Sequence, residues 1–329
     1  EASAGVDLRG ARGGVGVDLA HQSSDGINAC SGFYDPATWQ GAGCFIVPGT
    51  HPDRDGYRNS SATLRADYAP NEAWQFDARA LRATGHNHYD GDYVDNSDIV
   101  QQVVGGSARW KASEAAQLKL SLGRNTDTSD NSIGSSFANR FDTTRDSASL
   151  LGEFAVAAGQ VLPAGFDWLR GRADGRDPWS PFNAARGNRA VFAQYQGSFA
   201  AHDLQASLRR DDNDQFGGKT TGGIAWGYGF SDGWRVTASH ASAFKAPSFN
   251  ELYYPGASNP NLDPESSRSS ELSLARSGDG WHVQANAYQT RVSELIAWSS
   301  TDFLPVNIDE ARIRGVELVA TARVAGWDL

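Results

Sequence analysis

Apolar and polar residues alternate with a period of two along much of this chain. Ala62, Leu64, Ala66 and Tyr68 are apolar, and Thr63, Arg65 and Asp67 between them are polar. Leu118, Leu120 and Leu122 alternate with Gln117, Lys119 and Ser121, and Leu204, Ala206 and Leu208 with Gln205, Ser207 and Arg209. Trp281, Val283, Ala285 and Ala287 fall on one side, His282, Gln284, Asn286 and Tyr288 on the other. Successive side chains of a strand point to opposite faces, so the pattern predicts strands with one apolar face. No segment carries a convincing helical period.

The connections add an asymmetry. Short ones are predicted near 9–13, 70–73, 112–115, 158–160, 200–202, 231–233, 278–280 and 325–326. Long ones are predicted near 22–55, 87–97, 125–142, 171–188, 211–218, 245–265 and 293–309. Short and long alternate strictly. In an up-and-down sheet every second connection lies at the same end, so one end carries tight turns and the other long loops. That is the arrangement of an outer-membrane barrel. Trp74, Trp234, Trp281 and Trp327 each follow a short turn, and Trp110, Phe199 and Phe230 each precede one. Amphipathic rings favour the headgroup level of a membrane, so these residues read as one aromatic girdle. The fold class expected is all-β, a transmembrane up-and-down antiparallel β-barrel of about sixteen strands. The alternation changes phase near Gly315, because Arg312 and Arg314 share parity with Val316 and Leu318. A bulge at Gly315, or emergence of the strand from the membrane there, explains it.

Composition fits this reading. The chain of 329 residues has 36 Gly and 10 Trp and contains no apolar run long enough for a transmembrane helix. The negative mean hydropathy does not oppose a barrel, whose strands need apolar residues on the lipid face alone. The net charge of −10 argues against a nucleic-acid partner. The chain has no Met and no signal peptide, and Gly326-Trp327-Asp328-Leu329 looks like a strand starting after a turn. These features favour one barrel domain over 1–329, truncated at both ends.

The stretch Ser242–Glu265, SAFKAPSFNELYYPGASNPNLDPE, is too long for a tight hairpin. Pro247, Pro255, Pro260 and Pro264 disfavour helix and regular ladder alike. Its Phe244-Lys245-Ala246-Pro247 and Asn259-Pro260-Asn261-Leu262-Asp263-Pro264-Glu265, followed by Arg312-Ile313-Arg314-Gly315-Val316-Glu317, resemble the barrel of TonB-dependent outer-membrane transporters. The run Arg209-Arg210-Asp211-Asp212-Asn213-Asp214-Gln215-Phe216-Gly217 brings the likeness nearest to the cobalamin-importing branch of that family. The resemblance implies a 22-stranded barrel filled by a plug, so that the plug and several strands lie outside this chain. It also implies import of a scarce nutrient, cobalamin or a related corrinoid, across the bacterial outer membrane. The partners implied are the TonB energy-coupling protein, acting through the plug, and outer-membrane lipid. A siderophore or haem importer is the alternative within the family, and a passive porin or adhesin-like barrel the alternative outside it. A soluble multi-sheet binding protein is a third reading.

No enzyme motif is present: no P-loop, dinucleotide fingerprint, nucleophile elbow or zinc spacing. Cys30 and Cys44 share one polar loop and read as a disulfide of an oxidising compartment, with two free thiols as the alternative. His86 and His88 share a strand face, a weak metal signal beside two exposed loop histidines. Asp53-Arg54-Asp55-Gly56 and the cluster Asp90, Asp92, Asp95 and Asp98 lie on neighbouring long loops at the same end of the sheet. So many hard oxygens suit calcium, the alternative being a solvated acidic loop. The resemblance implies the same ion as a cofactor, held by Asp53, Asp55, Asp90 and Asp98, with Asp25 an earlier ligand. It also implies that the loop 171–188, with Trp179 and Phe182, reaches the ligand. Substrate-contact residues are not otherwise specified.

Overall fold

The computed structural model describes the chain except residues 29–33, 36–39, 42–53, 92, 179, 231–232, 325 and 329; of 34, 35, 40, 41, 324 and 328 it describes the backbone. Its first strands are β1 (Ala2–Gly10), β2 (Gly13–Ser24), β3 (Tyr34–Asp35), β4 (Gln40–Gly41), β5 (Tyr57–Asn71) and β6 (Trp74–His88). Then come β7 (Asn96–Ser113), β8 (Ala116–Ile133), β9 (Ser136–Ala157), β10 (Gln160–Arg176), β11 (Phe182–Phe199) and β12 (His202–Asn213). β13 (Gly217–Phe230) and β14 (Trp234–Lys245) precede a helix, α1 (Phe249–Tyr253). β15 (Glu265–Gly278), β16 (Trp281–Ser299), β17 (Leu304–Val324) and β18 (Trp327–Asp328) follow. Sixteen strands form one sheet in sequence order, β1-β2-β5 and onward to β18, while β3 pairs with β4. This is the up-and-down antiparallel β architecture that the period-two pattern predicts.

Several stretches expected as long loops are largely strand. The stretch 125–142 lies in β8 and β9, which meet in a turn at Gly134–Ser135. The connections expected at 171–188, 211–218 and 293–309 shrink to 177–181, 214–216 and 300–303. The reason is physical. A tilted strand crosses a membrane in about 9–11 residues, whereas β9 has 22 and β17 has 21. Beyond the lipid both faces of a strand are wetted, so the alternation stops while the backbone ladder continues. Three long connections remain: 25–56, 89–95 and 246–264.

Of the two explanations for the change of phase near Gly315, the bulge is absent and emergence from the membrane fits. β16 and β17 keep one register throughout, with Tyr288 opposite Gly315 and Trp281 opposite Ala322. A Cβ on Gly315 would lie 2.6 Å from the Tyr288 hydroxyl, so the missing side chain makes room for that ring. The change of phase is instead an edge of the apolar band. Ala238, Leu272, Ala287 and Val316 form one cross-strand row, and His240, Ser270, Gln289 and Arg314 form the next. All four strands turn polar together, as strands leaving lipid must.

The chain divides into two compact units. The first comprises Glu1–Trp110, Lys119–Ala148 and Leu169–Arg186. Its polar strand face carries an ion-pair ladder: Arg9 meets Asp67 at 2.9 Å, and Arg65 meets Asp18 at 2.8 Å. Trp74 stacks on Phe76 and Trp110 at its tight-turn end. The second unit comprises Lys111–Leu118, Ser149–Trp168 and Gly187–Leu329. There Trp226, Tyr228, Phe230 and Trp234 stack in a file, and Arg276 lies over the Trp234 and Trp281 rings at 5.2 and 5.7 Å. Many large apolar residues of both units are exposed, Val316 and Leu318 being 78% and 74% exposed. Among the described residues the buried apolar side chains are few, Ala173, Ala190, Leu252 and Leu262 with Pro247, Pro264 and Pro305. A water-soluble fold does not expose so many large apolar side chains while burying so few, so the apolar strand face is a lipid-facing surface.

Candidate functional site

The loop end of the second unit is built on 246–264. The sequence predicts no helix there, yet α1 forms over Phe249–Tyr253. The cue is Ser248-x-x-Glu251, a capping box between two prolines. The Glu251 amide donates to Ser248 Oγ at 3.2 Å, and the Ser248 amide donates to Glu251 Oε2 at 2.6 Å. Pro247 precedes the cap and Pro255 follows the helix, so both prolines sit where no helical donor is lost. Lys245 Nζ closes the base of the loop, donating to Glu251 Oε1 and Glu265 Oε1 at 3.2 Å each. Pro247, Leu252 and Leu262 are buried. The Asn259 side chain donates to the Pro305 carbonyl, and Asn307 bonds both the amide and the carbonyl of Asp263. This loop is therefore a folded element with its own small core.

Burial opposes the charged form of the Glu251 carboxyl, but the Ser248 hydrogen bonds and the Lys245 ammonium hold it below its usual range. A lowered carboxyl contributes stability above its unfolded pKa of about 4.3 and loses it as pH falls through the folded value. The loop is thus expected to keep this stabilisation above about pH 4.3 and to loosen as pH falls through the lower, folded-state value. A nitroxide at Ala257 checks this by its spectrum, which should sharpen in acid alone; a spectrum unchanged down to about pH 3 contradicts it.

Next to this loop, the acidic run after Arg209 is part of β12. Arg209 grips Asp211 with two hydrogen bonds at 2.9 and 3.0 Å and reaches Asp167 at 2.6 Å. The Asn188 side chain donates to Asp211 at 2.8 Å, and the Gly187 amide to Asp214 at 2.9 Å. Asp211 and Asn213 are buried. Gln215, in the short β12–β13 connection, donates to the Tyr253 hydroxyl at 3.0 Å and so ties that connection to α1.

In the first unit, the loops bring Asp25, Asp55 and Asp90 into one neighbourhood through backbone contacts. The Asp55 amide donates to the Ile27 carbonyl at 3.0 Å. Gly26 has φ +66, and a Cβ there would overlap the Asp55 carbonyl oxygen, so the two segments touch. The His88 amide donates to the Gly56 carbonyl at 2.8 Å, which places Tyr89 and Asp90 beside them. Asp25 is exposed, whereas Oδ1 of Asp55 and Oδ1 of Asp90 are shut off from solvent. Asp98 stands apart on β7, paired with His86 Nδ1 at 2.8 Å, and His88 Nδ1 donates to the Arg54 carbonyl at 3.3 Å. Asp53, Asp92, Trp179 and both Cys30 and Cys44 lie outside the described residues. Among the described residues no three His, Cys, Asp or Glu side chains converge on one point.

Asp95 has a role that sequence reasoning missed. It is buried, and its carboxylate accepts the Gly134 amide at 2.9 Å, fastening the tip of the β8–β9 hairpin. Ser97, Asn131 and Asn139 extend the anchor. The signal was Ile133-Gly134-Ser135, a turn inside a stretch read as loop. Phe182, expected near a ligand, packs against Phe141 at 5.7 Å.

A sixteen-stranded antiparallel sheet with an exposed apolar strand face and, in each unit, aromatic residues stacked beside the tight turns has the features of a membrane β-barrel wall. The chain matches the family model described as TonB dependent receptor-like, beta-barrel over residues 7–329, and it belongs to that family. Such barrels reside in the bacterial outer membrane and serve transport, not catalysis. The chain is similar to the vitamin B12 transporter BtuB of Photobacterium profundum, 27% identical over 277 residues, covering 82% of this chain and 46% of the relative. It is likewise similar to the vitamin B12 transporter BtuB of Vibrio cholerae serotype O1 (strain M66-2), 30% identical over 293 residues, covering 83% and 46%. The chain thus spans just under half the length of these curated relatives. Solved structures with the same fold include a mutant ferric enterobactin receptor (PfeA) of Pseudomonas aeruginosa, with TM-score 0.77 at 16% identity over 98% of this chain and 56% of that one. The copper transporter OprC gives 0.74 at 17% identity over 96% and 55%.

Proposed function

We propose that this barrel serves the import of cobalamin or a related corrinoid across the outer membrane, driven by the TonB energy-coupling complex. The observation that carries the reading is the relation to vitamin B12 transporters over more than four-fifths of the chain. The structural likeness to siderophore and copper receptors stands at 13–17% identity and speaks for the fold alone. The barrel wall contributes preformed loops that capture the nutrient, and inward release follows from mechanical work on a plug.

Calcium belongs to the same proposal. Asp53, Asp55 and Asp90, with Asp25 beside them, would supply hard oxygens, and the ion would neutralise acids that otherwise repel one another. The support is the packing of 25–27, 54–56 and 88–90 together and the burial of two of the carboxylate oxygens. Asp98 is already engaged by His86 and is left out of the ligand set. A Cys30–Cys44 disulfide would close the same loop.

The test is equilibrium binding of cyanocobalamin to the receptor purified from outer membranes, with calcium and with a chelator. Tight binding that weakens at least about tenfold on chelation is the expected result, equivalent to about 1.4 kcal/mol. Binding indifferent to chelation removes calcium and retains the substrate. No binding in either condition rejects cobalamin and makes an iron chelate the next ligand.

A further inference from the structure

Cross-strand register places charges that the transport reading does not use. Ser242, Arg268, Arg291 and Arg312 form one row across β14, β15, β16 and β17. Their parity on each strand is that of Leu272, Ala287 and Val316, so the row belongs to the lipid-facing side. Arg314 stands one row nearer the apolar band. All four arginines are exposed. Arg312 touches Glu310 at 3.5 Å; among the described residues Arg268, Arg291 and Arg314 have no carboxylate partner.

This arrangement is unfavourable in isolation, because like charges directly opposite on neighbouring strands repel. Its height on the sheet points to what relieves it. Arg291 lies ten residues along β16 from Trp281, which marks the girdle at the tight-turn end. At about 3.3 Å per residue and a tilt near 40° that is roughly 25 Å, the thickness of the apolar band of such a barrel. The arginines therefore stand at the headgroups of the leaflet on the loop side, the outer one. Neighbouring strands are about 4.8 Å apart, so the row from Arg268 to Arg312 spans about 10 Å of flat guanidinium surface. Guanidinium forks match phosphate oxygens bidentately and are the side chain of choice for that group.

We propose that Arg268, Arg291 and Arg312, with Arg314, form a docking surface on the outer wall for a lipid headgroup of the outer leaflet carrying more than one phosphate. One phosphate would sit between two arginines of the row and a second would engage the next. The bound lipid removes the repulsion and ties the top of β15–β17 to the leaflet.

The probe is diphosphoryl lipid A, titrated into the receptor purified from outer membranes, freed of lipid in non-ionic detergent and followed by native mass spectrometry. Adducts should weaken with salt and exceed those formed by monophosphoryl lipid A. The combined change Arg268→Gln, Arg291→Gln and Arg312→Gln should weaken binding on the order of a hundredfold, and each single change about fivefold. The matching Lys variant should recover the charge-dependent part of the affinity and stay below the parent, since an ammonium lacks the bidentate fork. In lipid-free detergent the Gln variant should melt no lower than the parent, since repulsion has been removed; a merely structural role predicts the reverse. Should the combined variant fail to assemble, Arg291→Gln at the centre is read alone. Unchanged affinity in either variant, or equal binding of the monophosphate, overturns the proposal.

Discussion

Arg209→Met is expected to destabilise the second unit by about 3 kcal/mol, the lower end of the range for a broken buried ion pair. The Asp211 side chain is 5% exposed, and Arg209 supplies two of its hydrogen bonds, at 2.9 and 3.0 Å. Asp167 loses its 2.6 Å contact at the same time. Methionine keeps the length of the aliphatic stem but removes the guanidinium, which also lies 5.6 Å from the Phe192 ring centroid, so the loss is chiefly one of charge. The effect falls at the low end because Arg209 and Asp167 remain about one-third exposed and water partly replaces the missing partner. The measurement is the temperature at which the folded barrel converts to the slow-migrating unfolded band on a detergent gel. Adding Asp211→Asn should return part of the loss, since the stranded charge is then gone. A single variant that melts with the parent would show that the Asn188 contact suffices to hold Asp211.

Leu252→Ala is expected to cost about 2–5 kcal/mol, felt within the loop and not by the whole sheet. Leu252 is 1% exposed, and Pro247 and Leu262 of the same loop are buried as well. Without it α1 rests on the capping box and the polar contacts of Lys245 and Gln215, and a five-residue helix is below the length at which helices persist in water. Hydrogen exchange reads the result: amides of 249–254 should lose protection while the β14–β15 ladder keeps it. Leu252→Met, which conserves volume, should cost less than about 1.5 kcal/mol. Equal protection in the Ala variant would mean that the Lys245 and Asn307 contacts fix the loop without its core.

The sheet was legible in the sequence wherever lipid wets one face of a strand and not the other. Leu204, Ala206 and Leu208, or Trp281 through Ala287, are read correctly because the solvent contrast imposes period two. Above the band the contrast vanishes, so Asn125–Asp142 looked like loop although nearly all of it is strand, and the phase change at Arg312–Val316 left a bulge and emergence from the membrane both open until the unbroken register decided for emergence. The helix was missed because four prolines outweighed one capping box, yet two of those prolines flank the helix where they do no harm. In the candidate site, adjacency of hairpins sufficed to bring the segments of Asp25, Asp55 and Asp90 together. It did not reveal that Asp95 fastens a distant turn or that Asp98 pairs with His86, because both depend on strand overshoot. The arginine row is likewise invisible in a linear reading, since Arg268, Arg291 and Arg312 meet only through register.

Between β1 and β18 each strand of the main sheet bonds to its two neighbours in chain order, through connections as brief as Ala11–Arg12 and Gly134–Ser135. Closing such short links costs little chain entropy, so the ladder can grow from one edge like a zip, each hairpin templated by the last. The same logic operates on the gene. Duplicating or deleting one hairpin leaves every other register intact and needs no rethreading. Strand number in a wall of this kind is thus an inherited quantity that changes in steps of two, while loops diverge independently at one rim.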